Sequence, residues 1–276
     1  MRVTTVAKMC HLTYGETMVT LIVLGSVMAL AFGLERIVPL GMKRMPSPRR
    51  FLATDIAWFL VAGGAGVVVT LLLAPLLERT AVGPIATLLE VAPTGVQLAI
   101  GVVLYDLAST TIHRAMHKSD VLWAVHKVHH SSRELDALAT TRAHMLENLV
   151  RQVPAQTVLF VLGFSGANVA LVAVLFAGWA VVGHSNLRVG ARWIEMLFVT
   201  PRVHHLHHVP ATSQRNFATV FTAWDRVTNR FVSVRSAPWD EFGVPGEVES
   251  YPQRFVDAVR EPLKEIHGRR HARLTA

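Results

Sequence analysis

Histidine is concentrated in three short clusters of this sequence. Eleven of the 14 histidines lie between His113 and His208. On an α-helix, positions i, i+3 and i+4 share one face, so each cluster predicts a helix that presents several imidazoles together. Neutral imidazole is a common ligand of zinc, iron, copper and nickel. The clusters read His113-Arg-Ala-Met-His117, His126-Lys-Val-His129-His130 and His204-His205-Leu-His207-His208. Eight of these nine imidazoles repeat the i, i+3 and i+4 spacings, which exceeds the needs of one tetrahedral ion, so we expect two metal ions.

The third cluster holds one histidine more than the pattern requires. His204, His207 and His208 repeat the spacing of the second cluster, whereas His205 lies about 100° around the helix from His204. A register that uses His204, His205 and His208 stays open, because His205 lies three residues before His208. Thr200 suits the cap of this helix and Pro201 its first position, so we expect the helix to begin there.

The composition is typical of a membrane protein. Hydrophobic residues make up 51% of the chain and charged residues 17%, against roughly 25% in an average soluble domain. The net charge is +8, and the Lys and Arg residues lie in loops between apolar runs. This arrangement favours binding to anionic lipid headgroups over binding to nucleic acid, and no nucleic-acid motif accompanies the charge. The single cysteine, Cys10, excludes an internal disulfide and any cysteine-based metal cluster. Apolar runs occupy 17–34, 56–77, 91–112 (interrupted by Asp106) and 154–183.

These runs predict a membrane topology that brings the histidines to one side. Each of the first three reaches most or all of a ~30 Å hydrocarbon core. The fourth is too long for one span and is broken at Gly163-Phe164-Ser165-Gly166-Ala167-Asn168, which predicts a hairpin of two short helices. The loop between the first two apolar runs is rich in Lys and Arg, which indicates that it lies in the cytoplasm. The third run then ends on the cytoplasmic side, and the hairpin begins and ends on that side too. Every histidine cluster therefore falls on the cytoplasmic side. A cleaved signal peptide is disfavoured, because it would put that loop outside.

The predicted fold class is all-α, with a membrane helical stem and a cytoplasmic helical cap that holds a histidine di-metal site. We expect transmembrane helices with short loops in 1–112, and a cytoplasmic C-terminal tail in 236–276. Between them, 113–235 forms the catalytic region, which includes the membrane hairpin 154–183.

With these motifs the chain resembles the fatty acid hydroxylase/sterol desaturase superfamily. That superfamily is recognised by His-x3-His followed by two His-x2-His-His motifs, and the resemblance covers 106–226, a little under half the chain. Further family-like features are Asp106 seven residues before His113, Ser131-Ser132, Arg142-Ala-His144-Met-Leu-Glu147, Gly183-His184-Ser185-Asn186, Thr200-Pro201, Asn216-Phe217 and Trp224-Asp225-Arg226. The chain departs from the family at Ala218, where glycine is usual, and at Thr228-Asn229-Arg230. Both departures lie beyond the ligands and bear on substrate subclass.

The resemblance implies two iron ions that use O2 to hydroxylate or desaturate a lipid C–H bond. Zinc is expected to replace iron after overexpression, because metal availability often decides occupancy. The electrons must come from an external donor such as a ferredoxin or a cytochrome b5-like protein. The implied ligands are His113, His117, His126, His129, His130, His184, His204, His207 and His208, with His144 either a tenth ligand or a hydrogen-bond partner of one.

Several other residues have two interpretations each. Asp106 either orients His113 or is a carboxylate at the membrane edge that reaches water. Glu147 orients an imidazole or is a solvated surface group. Asn216 hydrogen-bonds a ligand-bearing loop or is an ordinary turn residue. Trp123, Trp224 and Trp239 are expected in the interfacial aromatic belt, and Lys127 opposite lipid headgroups.

Two alternative functions stay open on the sequence alone. Hydroxylase and desaturase differ in the fate of the substrate radical, and we favour hydroxylase. A non-catalytic zinc-binding or transport protein is the other alternative. Transporters place their ligands near the bilayer midplane and often contain repeats, whereas these histidines lie at the boundary and no repeat is visible.

Overall fold

The computed structural model describes residues 14–37, 49–77, 84–233 and 241–275. Every regular element in these ranges is helical, apart from an isolated bridge between Phe198 and Phe221, which confirms the predicted all-α class. The α-helices are α1 (Tyr14–Ile37), α2 (Leu52–Leu77), α3 (Pro84–Val91), α4 (Thr94–Lys118), α5 (Asp120–His130), α6 (Met145–Val161), α7 (Gly166–His184), α8 (Pro201–His208), α9 (Ala223–Val227) and α10 (Phe255–Thr275). Short 3-10 helices occupy Ala137–Thr141, Ile194–Met196 and Pro210–Thr212.

The stem is built around α4, which packs against α6 and α7, while α2 packs against α6 and α1 against α7. Its core contains Tyr105, Phe160, Phe164 and Phe176. Among the described residues, α4 and α7 are the two helices that are long and apolar enough to cross a membrane. Both end at the histidines, because α4 carries His113 and His117 in its last two turns and α7 ends at His184.

The two short helices that carry the other clusters begin at side-chain caps. Ser119 accepts a hydrogen bond from the N–H of Leu122 at the start of α5. Thr200 accepts one from the N–H of Val203 at the start of α8, and Pro201 follows it, which confirms the predicted start of that helix. These caps satisfy N–H groups that have no partner within the helix.

A buried network of charges joins the first part of the chain to the segment after α5. Arg49 contacts Asp55 and Asp136, and Arg142 contacts Asp55 through its Nε at 3.2 Å. All four side chains are almost completely buried. Buried ions need compensating partners, and here two guanidinium groups alternate with two carboxylates. Arg49 therefore belongs to a structural ion network as well as to the basic loop that indicated topology.

The C-terminal segment packs on the second histidine cluster's helix, with α10 against α5. Lys127 of α5 is buried, and its Nζ lies 2.6 Å from Glu247 and 3.0 Å from Glu265. The expectation that Lys127 faces lipid headgroups is therefore wrong. Because that helix carries histidines on both sides of Lys127, this contact ties the segment 241–275 to the second histidine cluster.

Candidate metal centre

Nine histidines converge in two groups, and in each group one ring nitrogen per residue lies within 4.8 Å of those of the other members. Every one of the nine is buried. The first group contains His113, His117, His126, His130 and His207, and the second contains His129, His184, His204 and His208. Each of the two His-x2-His-His motifs is divided between the groups.

This division follows from helix geometry. In α5, His126 and His130 are four residues apart and enter the first group, while His129 enters the second. In α8, His204 and His208 enter the second group, and His207 enters the first. Neighbouring residues differ by about 100° on a helix, so His129–His130 and His207–His208 reach to either side of one broad face. The two helices therefore hold both groups side by side.

In the first group, backbone carbonyls hold the outer ring nitrogens of His113 and His207. The Nδ1 of His113 lies 2.7 Å from the carbonyl of Phe217, and the Nδ1 of His207 lies 2.8 Å from the carbonyl of Arg215. A carbonyl oxygen cannot donate, so each Nδ1 carries the proton and each neutral Nε2 carries a lone pair. The inner Nε2 atoms nevertheless approach closely, at 2.9 Å between His113 and His126.

The second group has the same arrangement. The Nδ1 of His129 lies 3.2 Å from the carbonyl of Arg142, and the Nδ1 of His184 lies 2.8 Å from the carbonyl of Ala180. Their Nε2 atoms are 3.1 Å apart. The Nε2 of His204 lies 3.0 Å from that of His184 and 3.2 Å from that of His208.

These contacts fit bound cations. Two neutral imidazoles that both point lone pairs at each other cannot form a hydrogen bond, so a positive ion between them is what makes the approach favourable. At metal–nitrogen distances of ~2.0–2.1 Å, ligands on one ion lie about 3.0–3.4 Å apart, close to the observed spacing. Both ring nitrogens of the buried His117 lack a hydrogen-bond partner in the described structure. The nine histidines therefore fit two imidazole-bound transition-metal ions.

The surroundings keep the imidazoles neutral and ready to bind metal. Burial, followed by repulsion from neighbouring imidazoles, lowers the pKa of His130 and His208 well below the ordinary range. Burial lowers the pKa of His207 to about 4. Protons therefore do not compete for these nitrogens near neutral pH.

Asp106 holds the loop that supports the first group. Its carboxylate accepts hydrogen bonds from the N–H groups of Thr219, Val220 and Phe221 at 2.8–3.2 Å, and from the indole of Trp224 at 2.9 Å. The same loop contains the Phe217 carbonyl that faces His113. Asp106 thus acts on His113 through the backbone rather than by direct contact.

Glu147 contacts a histidine of the first group directly. Its Oε1 lies 2.9 Å from the Nδ1 of His126, and the side chain is fully buried at the start of α6. Burial raises the pKa of Glu147 to about 8, against the opposing effect of Arg151. A cation bound to His126 favours the ionised carboxylate, so Glu147 is placed to fix both the tautomer and the ring orientation of His126.

The other predicted residues lie outside both groups. His144 caps α6 by accepting from the N–H of Leu146, and its Nε2 donates to the carbonyl of Val259 at 3.2 Å. Asn216 has a positive φ of 53°, and its amide bonds the carbonyls of Val203 and Val232. Asparagine tolerates this left-handed conformation, which lets the chain turn back towards α8.

Several supporting groups were not foreseen. The Trp123 ring lies 4.7 Å from the His117 ring and 5.3 Å from the His130 ring, so Trp123 packs on the first group. Trp224 donates to Asp106. The expected position of Trp123 and Trp224 in the interfacial belt stays a prediction, and Trp239 lies outside the described residues. The backbone carbonyls that hold histidines carry no sequence signal, because every residue has a carbonyl.

Comparisons with known proteins agree with this site. The fatty acid hydroxylase family profile matches residues 98–229, which contain all nine histidines. An ornithine lipid hydroxylase of Rhizobium tropici is 25% identical over 185 residues, covering 64% of this chain and 55% of that protein. A Delta(7)-sterol 5(6)-desaturase of Gibberella zeae is 27% identical, covering 45% and 39% respectively. An alkylglycerol monooxygenase of Caenorhabditis elegans is 26% identical, covering 52% and 28%.

The matches thus span about half or less of the length of these relatives. No solved structure matches the chain significantly. The family match, the relatives and the histidine motifs together show that this chain is similar to histidine-rich, lipid-modifying oxidoreductases. Residues 98–229, just under half of the chain, resemble the fatty acid hydroxylase/sterol desaturase superfamily.

Proposed function

We propose that the protein is a membrane-embedded, O2-dependent oxygenase that hydroxylates a C–H bond of a lipid, with one iron ion in each histidine group. The observation that carries the proposal is the convergence of nine buried imidazoles in two groups, in each of which one ring nitrogen per residue lies within 4.8 Å of the others. Two bound irons would supply the redox chemistry that activates O2. The named relatives act on an ornithine lipid, a sterol and an alkylglycerol, which supports a lipid substrate without choosing among them.

The chain's own residues would position the metals and exclude water. His126, His130, His207 and His208 have no exposed surface, so their nitrogens are closed to bulk solvent. Removal of water protects reactive intermediates from side reactions. Glu147 would orient His126, and Asp106 would hold the loop that orients His113. His144 is assigned no contact with metal, since its two nitrogens are engaged elsewhere.

We further propose a multi-pass topology, with the stem in 1–112 and the hairpin 154–183 in the membrane. The catalytic region 113–235 and the tail 236–276 would then face the cytoplasm. An impermeant thiol reagent tests the orientation, because Cys10 is the only cysteine. The proposed topology puts Cys10 on the side of the membrane opposite the histidines, so the reagent should label it in intact cells. Labelling only after lysis would indicate the inverse orientation.

A separate protein, such as a ferredoxin or a cytochrome b5-like protein, would deliver the electrons. With a single cysteine the chain has no cysteine-bound cluster of its own. A candidate donor, together with the reductase that reduces it from NAD(P)H, should support lipid turnover by the purified oxygenase. The same mixture should consume O2 in a reaction that depends on NAD(P)H. A donor that reduces the metals without substrate oxidation would not qualify.

The decisive experiment compares host lipids without the gene, with the gene and with a His113→Gln variant expressed to the same level. Hydroxylation predicts a lipid that gains one oxygen atom and takes it from isotopically heavy O2. Loss of two hydrogens with no added oxygen would identify a desaturase instead. Purified protein should hold about two metals per chain. Metal without any lipid change, in the presence of a competent donor, would favour the zinc-binding alternative.

A further inference from the structure

Residues 188–197, between α7 and α8, expose large apolar side chains. Trp193, Met196 and Leu197 are 71%, 66% and 62% exposed. Single exposed apolar residues are ordinary, but three of them within five residues indicate a surface that meets another apolar phase. Arg188 and Arg192 are exposed in the same segment. We call residues 188–197 the interfacial segment.

The end of the interfacial segment packs beside α7, at a level nearer the apolar stem than His184. Immediately after it, the Phe198 ring lies 5.3 Å from the Trp179 ring, and the Trp179 indole donates to the carbonyl of Val199 at 3.1 Å. Trp179 precedes His184 by five residues, which is about 7 Å along the helix towards the stem. The end of the interfacial segment therefore lies beside a membrane-spanning candidate, on the stem side of His184.

On this surface the acidic side chains are buried, whereas basic and apolar side chains face outward. Glu195 is the only acidic residue in the interfacial segment, and it is buried, with its carboxylate 2.6 Å from the guanidinium of Arg202. The adjoining helix α9 repeats this pattern. Asp225 is buried, Arg226 donates to the carbonyl of Glu195, and Val227 is 78% exposed. The outward groups are therefore cationic or apolar.

We propose that the interfacial segment, together with Val227, binds the surface of an anionic lipid bilayer. Trp193, Met196 and Leu197 enter the boundary below the headgroups, and Arg188 and Arg192 contact lipid phosphates. Tryptophan and arginine beside apolar residues are typical of such interfacial elements. Anionic lipid adds attraction for each cation near the surface. This proposal rests on membrane insertion of α4 and α7, and not on the proposed oxidation.

A site-specific fluorescent probe tests the proposal. Cys10→Ser removes the native thiol, and Met196→Cys then provides the only attachment site for a polarity-sensitive dye. Lys264→Cys is the matched control, because its side chain is 64% exposed on α10. Each full-length protein is placed in nanodiscs of neutral or anionic lipid, at one copy per disc, with or without nitroxide-labelled lipids. The assay requires neither bound metal nor turnover.

We expect the probe at position 196 to shift to the blue and to lose emission to nitroxide lipids, whereas the probe at 264 stays water-like. The double substitution Arg188→Gln/Arg192→Gln should abolish the additional quenching seen in anionic discs. A probe at 196 that is quenched by aqueous iodide, but not by nitroxide lipid, would overturn the proposal. Shielding from both quenchers would overturn it too, because protein would then cover the segment.

Discussion

Asp106 and Asp225 divide five consecutive backbone N–H groups between them. Asp225 accepts hydrogen bonds from Phe217 and Ala218, and Asp106 accepts from the next three residues, Thr219 to Phe221. The carbonyl of Phe217, at the start of this loop, faces His113. Two buried carboxylates from separate parts of the chain thus fix the backbone atom that sets the tautomer of a candidate metal ligand.

Replacing Asp106 by Asn should destabilise the protein and weaken metal binding in the first histidine group. An amide presents one acceptor oxygen and one donor group, so it cannot accept hydrogen bonds at both positions that the carboxylate fills. Each carboxylate oxygen accepts two hydrogen bonds, so the amide leaves two N–H groups without their acceptor, which should cost on the order of 3 kcal/mol. Thermal unfolding in detergent, together with metal content, measures both effects.

The matched control for this change is Asp120→Asn. Asp120 is 56% exposed and pairs with Arg269 at the surface, where such pairs contribute about 0–1 kcal/mol. Equal unfolding temperatures for the two variants would contradict the role assigned to Asp106.

Glu147→Gln should weaken metal binding in the first group while the fold persists. Glutamine keeps the size of the side chain and an acceptor for the Nδ1–H of His126, but it removes the negative charge that makes this imidazole a stronger ligand. Changes of this kind typically lower metal affinity about 10- to 100-fold. Competition with a chelator measures the affinity of each group.

Glu249→Gln serves as the control, because Glu249 is 84% exposed and contacts Arg133. Its affinities should equal those of the unaltered protein. If Glu147→Gln lowers the unfolding temperature but leaves both affinities unchanged, Glu147 is structural and does not support the metal.

The all-α class and the start of α8 could be predicted from the sequence, because histidine spacing, apolar runs and capping residues are local signals. The division of each His-x2-His-His motif between two groups could not, since it depends on how α5 and α8 face one another. Nor could the position of His144. Glu147 follows His144 at the spacing of one helix face, but His144 is the residue that caps α6 and lies before the first helical turn. Lys127 was misinterpreted because its acidic partners lie more than a hundred residues away.

Removal of metal should make the stability of the fold depend on pH. In the unfolded chain histidine has a pKa of about 6.5, whereas burial lowers that of folded His207 to about 4. The unfolded state therefore binds protons first as the pH falls, so stability is full above about 6.5 and is lost towards about 4. This one residue contributes roughly 3 kcal/mol to the loss. Thermal unfolding of chelator-treated protein across this range measures the effect, and a flat profile would show that these histidines are accessible to solvent when folded.

Replacement of each of the four histidines of α8 by Gln should have sharply different effects on metal content and lipid oxidation. His205 belongs to neither group, and its Nε2 lies 2.9 Å from the carbonyl of His184. A glutamine amide can make the same donation, so His205→Gln should keep about two metals per chain and most of the lipid oxidation. His207→Gln should lose metal from the first group, and His204→Gln or His208→Gln from the second. Each of these three variants should fall towards one metal per chain and lose turnover.

His205→Ala separates the structural role of this residue from metal binding. It leaves the carbonyl of His184 without that donor and creates a cavity, so it should lower the unfolding temperature while the protein still binds metal. Metal content, unfolding temperature and lipid product are compared for all five variants at equal expression. Loss of metal in His205→Gln, with metal retained in His207→Gln, would show that α8 presents its other register to the metals. The division into two groups would then be wrong.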